Sequence, residues 1–246
     1  MPSTRAAAAR PAAFYGWRVV GAAFVLAVFG WGVGFYGPPI FLQTVSEARG
    51  WPLWLVSAAV TGHFLVGAVA TANLPRLYGH FGVPAIARLG ALSLAAGIAG
   101  WAFAREPWQL FGATLLSGAG WVAMGPAAIN AIIAPWFVRT RPAALAMAYN
   151  GASIGGIIFS PLWVAAIGRL GFSVAATVVG IVMILVVWVI ADLVLARTPQ
   201  QMGLTPDGDA AGPPAAAVTS SSAQPLPDRR LWGDLSFVTL SAGMAL

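Results

Sequence analysis

Few side chains in this sequence are able to do chemistry, and most of them sit in strongly apolar surroundings. His63, Tyr36, Asn130, Asn150 and Asp192 interrupt long runs of Ala, Val, Leu, Ile and Gly. Holding a polar or ionisable group among such residues is costly, so each is a candidate for function. His63 could carry a proton or bind a carboxylate, or it could simply join two helices by a hydrogen bond. Tyr36 and Asn150 could each bind a solute or serve as polar links between helices. Asn130 lies near one end of its apolar run and reads as a gate residue, while Asp192 reads as a solvated end. Gly151-Ala152-Ser153-Ile154-Gly155 fits G-x-S-x-G, and Ser153 with His63 would make an intramembrane serine hydrolase. That motif needs a sharp strand-to-helix turn. Here it lies inside an apolar helical run, and no acid at that depth orients the histidine. The four-residue spacing of Gly151 and Gly155 reads instead as helix packing. No catalytic residue is assigned, and the chain is not expected to be an enzyme.

The elements that hold these groups are legible from the charges. Of 246 residues, 59% are hydrophobic and 8% charged, and the mean hydropathy is +0.81. Soluble domains are about 25% charged, so the composition is that of a polytopic membrane protein. All thirteen basic residues are Arg. They are spread one or two per loop rather than along a stripe, which argues against nucleic acid as a partner. Cysteine is absent, which excludes disulfides and thiolate metal sites. No Walker sequence is present, and no cofactor is expected. The apolar run that follows the N-terminus is too long for a cleavable signal.

No charge occurs between Glu106 and Arg139, or between Arg141 and Arg169. Each gap exceeds the roughly 20 apolar residues that cross a bilayer core as a helix. The chain is therefore expected to be an all-α membrane protein with six spans. These are placed at about 18–42, 52–75, 84–104, 111–136, 143–161 and 172–195. Residues 1–17 form a cytoplasmic tail, and 196–230 a flexible Pro-, Ala- and Ser-rich linker. A seventh span starts at 231 and is cut short at 246. With the N-terminus inside, the inner segments hold Arg5, Arg10, Arg18, Arg76, Arg88, Arg139, Arg141, Arg197, Arg229 and Arg230; the outer loops hold only Arg49, Arg105 and Arg169. That is the positive-inside bias. Trp17, Trp51, Trp54, Trp108 and Trp136 fall near span ends, where interfacial tryptophans anchor helices.

Three stretches resemble the major facilitator superfamily, in particular its monocarboxylate-transporter and oxalate/formate-antiporter branch. FYGWRVV at 14–20 is similar to that branch's aromatic-Gly-Trp start of the first span. PRLYGHFG at 75–82 stands where the superfamily carries a G-x-L-x-D-R-x-G-R-R type motif. WFVRTRPAALAMAYNGASIGG at 136–156 resembles the branch's signature, with its aromatic pair, basic turn and Gly-xxx-Gly. In the second stretch Pro75 replaces the first Gly, Gly79 the acid and His80 an Arg. The family's charge latch at the inner gate would therefore be weakened or differently made. Its substrate-linked Lys has no counterpart near Pro39.

The resemblance implies the N-terminal half of a twelve-helix carrier, partnered by a second six-helix bundle with the solute path between the two. It implies secondary transport of a small organic anion such as a monocarboxylate, with proton symport and anion exchange both open. Tyr36, His63 and Asn150 would line the path. Arg18, Arg76, His80, Asn130, Arg139 and Arg141 would form the cytoplasmic gate. A carrier for a drug, sugar or amino acid is the alternative. The expected location is a bacterial inner membrane with the N-terminus cytoplasmic, and residues 1–246 alone are expected to be inactive.

Overall fold

The computed structural model describes residues 14–208, which contain helices, turns and connecting segments and no strand. Most of the expected N-terminal tail, the expected linker beyond 208 and the seventh span expected at 231–246 lie outside the described residues.

Helix α1 (Gly16–Phe29) runs into a π-helical segment, Gly30–Phe35, and then into α2 (Gly37–Arg49). In the π segment the Tyr36 N–H donates to the Trp31 carbonyl, five residues back. Such an insertion disturbs the regular ladder and tends to mark functional sites. Glycine makes it sterically feasible here: a Cβ on Gly30 would lie 2.7 Å from the Met124 carbonyl oxygen, and one on Gly34 2.3 Å from the Trp121 ring. Pro38 and Pro39 occupy the first turn of α2, where a missing N–H costs nothing.

Helix α3 (Leu53–Phe103) contains 51 residues. A straight helix of that length would reach roughly 75 Å, far more than the ~30 Å of a bilayer core. It breaks at Gly82, whose φ of 76° and ψ of 162° are open to glycine and closed to most other residues. Contacts along α4 (Pro107–Val122) give the direction of each arm. On the first arm Gly62 and Gly67 lie against Thr114 and Trp121; on the second, Gly90, Gly97 and Gly100 lie against Ala123, Ser117 and Ala113. One series rises with α4 and the other falls, so residues 53–81 and 83–103 run in opposite senses.

The chain breaks again after α4 at 123–125 and continues as the short α5 (Pro126–Ile133). Helix α6 (Arg141–Leu170) follows, then α7 (Phe172–Ile190), which ends in a second π-helical segment, Ala191–Leu195. α6 packs parallel to α1. A Cβ on Gly151 would lie 2.3 Å from the Phe24 carbonyl oxygen, and one on Gly155 2.5 Å from that of Val28. The large wholly buried side chains, among them Trp101, Trp163, Phe41 and Leu26, fill the space between these helices.

Among the described residues, five helical stretches are long and apolar enough to cross a membrane: Gly16–Arg49, Leu53–Phe103, Pro107–Ile133, Arg141–Leu170 and Phe172–Leu195. Six separate spans were expected. The difference lies at 75–84, where the expected loop is helical on both sides of Gly82 and the chain turns on a single residue. Asp192, expected to be solvated, is exposed and pairs with Arg88, whose guanidinium also lies 5.4 Å from the centre of the Trp188 ring.

Candidate functional site

His63 is wholly buried and ties four segments together. Its Nε2 lies 2.9 Å from the Gly34 carbonyl oxygen in the π segment. A carbonyl only accepts, which puts the proton on Nε2. Nδ1, 2.8 Å from Ser117 Oγ on α4, then accepts from that hydroxyl. Ser117 Oγ in turn accepts from the Trp101 indole N–H on the second arm of α3, at 3.2 Å. In this neutral arrangement each ring nitrogen has a protein partner, as a polar group buried among apolar helices requires. Ser117, Trp101 and the Gly34 carbonyl were not signalled by the sequence, since they lie 54, 38 and 29 residues from His63 and only the packing joins them.

Beside this hub an aromatic cluster spans several helices. The Trp121 ring centre lies 6.5 Å from Trp31, 6.1 Å from Phe35, 5.7 Å from Phe64 and 6.2 Å from His63. Tyr149 on α6 stands edge-on to Trp31 at 6.1 Å. At the break between α4 and α5 the Pro126 carbonyl accepts from Tyr149 Oη at 3.1 Å and from Asn130 Nδ2 at 3.0 Å, and Asn130 Nδ2 also donates to Tyr149 Oη at 2.8 Å. The Trp121 indole N–H is shielded and makes no hydrogen bond among the described residues. A partly open cavity of about 560 Å³ lies against this cluster, lined by Phe64, Gly67, Thr71, Trp121, Gly125 and Pro126. It offers rings, a hydroxyl and main-chain irregularity at α4–α5, and no charged side chain.

The residues expected to line a path do not converge. Tyr36 packs edge-on to Phe35 at 5.2 Å and lines a separate, wider groove with Pro39, Ser160 and Pro161. Asn150 is exposed on α6, and no hydrogen bond joins it to Tyr36 or His63. Ser153 is exposed within the unbroken helix α6, while both nitrogens of His63 are held by Ser117 and Gly34.

The expected gate residues separate into groups. Asn130 belongs to the Tyr149 cluster. Arg141 closes the end of α5, donating from Nε to the Phe137 carbonyl at 2.9 Å and from Nη2 to that of Ala134 at 3.1 Å. Arg18 lies over the Tyr15 ring. Arg76 and His80 are exposed on the first arm of α3, and His80 stacks edge-on to Phe81. The 14–20 and 136–156 stretches meet: Trp17 lies 5.1 Å from Phe137 and Tyr15 5.3 Å from Trp136, ring centre to ring centre.

Asp207 holds the connection between α5 and α6. Its Oδ2 accepts from the backbone N–H groups of Val138 at 3.0 Å and Arg139 at 2.8 Å, and its Oδ1 from the Thr140 N–H and hydroxyl. Its own N–H donates to the Trp136 carbonyl at 2.9 Å. Residues 198–208, expected to begin a flexible linker, thus fold back onto the basic turn before α6. The Thr140 hydroxyl foremost, with the N–H groups of 138–140, holds the Asp207 carboxyl well below the ordinary carboxylate range. A lowered value means that the contact is fully present above the ordinary pKa of about 4 and is lost only as the pH falls towards the lowered one. Trypsin cleavage after Arg139, expressed at each pH relative to cleavage of a small arginyl peptide by the same enzyme, is accordingly expected to be slow and unchanged from pH 8 to pH 5, and several-fold faster in Asp207→Ala at both. Equal rates in the two proteins would show that the contact does not hold the turn.

No protein-family model matches the chain, and a comparison with curated proteins finds no match to it.

Proposed function

We propose that the chain is a six-crossing bundle of a secondary transporter of the major facilitator type. The two arms of α3 would each make one crossing. A second bundle would cover the face that carries Trp31, Phe64, Trp121 and Tyr149. The solute would pass along that face by alternating access, in a bacterial plasma membrane with the N-terminus cytoplasmic, and the substrate would be a small organic anion.

The observation that carries this reading is the break at 123–125, with Asn130 and Tyr149 sharing the Pro126 carbonyl beside the aromatic cavity. Polar groups and interrupted helices at membrane depth are tolerated where they line a path or a protein contact. A second reading, a carrier for an uncharged or aromatic solute, is favoured by the absence of a charged side chain among the residues lining that cavity. For an organic anion the counter-charge would have to come from the second bundle.

Tyr149→Phe removes a hydroxyl that both accepts and donates in the Asn130 cluster. Loss of such a hydrogen bond is worth about 1 kcal/mol. Uptake of the transported solute is expected to fall by about fivefold, with the protein still correctly folded. Unchanged uptake would remove this cluster from the path.

A further inference from the structure

We propose that the end of the bundle where α1 begins and α7 ends binds an anionic phospholipid headgroup between Arg18 and Arg197. The proposal rests on the reading of the chain as a membrane protein.

Tyr15 fixes the site. Its hydroxyl donates to the carbonyls of Leu193, at 3.1 Å, and Val194, at 3.3 Å, within the second π-helical segment. Two guanidinium carbons lie near its ring, Arg18 Cζ at 5.8 Å and Arg197 Cζ at 5.7 Å from the centre. Both arginines are exposed, and neither pairs with a carboxylate among the described residues. Arg88, by contrast, is paired with Asp192, and Arg141 is committed to backbone carbonyls. Two guanidinium groups held near one ring therefore have unspent donors, and the fork geometry of arginine suits a phosphate oxygen pair.

Arg197 also lines a cavity of about 390 Å³. One part of its wall is polar, from Arg197 and Gln200, and another apolar, from Val19, Pro84, Ile132 and Leu195. A free inorganic anion needs only the donors, whereas a phospholipid needs donors beside an apolar wall, so the lipid is the occupant that uses both. Trp17, half exposed beside Arg18, belongs to the same aromatic rim that anchors helices at headgroup level.

The test is native mass spectrometry of the whole chain released from bilayers of phosphatidylcholine containing one-fifth phosphatidylglycerol. Wild type is expected to retain phosphatidylglycerol selectively. The double variant Arg18→Gln/Arg197→Gln should lose about tenfold of that retention, as expected where each basic group near the surface contributes its own attraction. Arg105→Gln/Arg169→Gln, at the opposite end, should retain it. On the unmodified protein, raising the salt from 0.05 M to 0.5 M should lower retention, which reads the site without any substitution. Equal retention of the two lipids, equal loss in both double variants, or full displacement by 10 mM inorganic phosphate would each overturn the proposal. Failure of the chain to enter bilayers at all would overturn the membrane reading beneath it and is seen separately, before any lipid is counted.

Discussion

Leucine in place of Gly151 is expected to force α6 away from α1 and to abolish the folded bundle. A Cβ there would lie 2.3 Å from the Phe24 carbonyl oxygen and 2.9 Å from Ala27 Cβ. The first of these is backbone inside a helix and cannot swing aside as a side chain would. Gly155, one turn further on, meets the Val28 carbonyl in the same way, so the helices have no room to tilt about one contact. Overpacking a well-packed interior costs roughly 1–3 kcal/mol. In a membrane, where close approach itself drives association, the lost contact along the rest of the seam adds to that. The folded fraction after detergent extraction should fall to a small part of wild type. Gly168→Leu on the same helix, where a Cβ meets nothing within 4 Å, should extract normally. A Gly151→Leu protein as well folded as wild type would mean that the α1–α6 seam is not as close as described.

The second large effect is expected at His63. Leucine there keeps much of the volume but leaves the Gly34 carbonyl without its partner, buried in the π segment. Ser117 can still accept from Trp101 and turn its hydroxyl to the Thr114 carbonyl at 3.4 Å, so the loss centres on Gly34. An unsatisfied buried group costs about 1–3 kcal/mol. His63→Leu should therefore lower the thermal midpoint in detergent by several degrees and cut uptake in proportion to folded protein. Because the imidazole is enclosed by protein partners on both nitrogens, the pH dependence of the remaining uptake should match wild type. A changed pH profile in a folded His63→Leu protein would instead make His63 a proton carrier.

What the sequence makes legible here follows from what lipid demands. Charge-free intervals long enough to cross a bilayer mark the helices, because an unpaired charge at that depth is costly. Glycine spacing marks the α1–α6 seam, because close approach depends on the missing side chain itself. The sequence predicts a loop where α3 reverses; the backbone at Gly82, at φ 76°, instead lets helix continue on both sides. The π-helical segments are hidden because an insertion of one residue depends on what packs outside the helix, here Met124 and Trp121 against Gly30 and Gly34. The Arg88–Asp192 pair carries no local signal, since its partners lie on helices far apart in sequence. Pro206–Gly208 forms a short 3-10 turn within the stretch expected to be a flexible linker. Its grip on the amides of 138–140, nearly seventy residues away, carries no local signal.

The proposal of transport is tested most directly by uptake of radiolabelled lactate, formate and oxalate into cells producing the protein from its complete native reading frame. Saturable uptake above that of control cells is expected for at least one of them, reduced in Tyr149→Phe and retained in Gly168→Leu. Uptake confined to uncharged or aromatic solutes would contradict the organic-anion assignment, and no uptake of any solute by a correctly inserted protein would contradict the transporter itself.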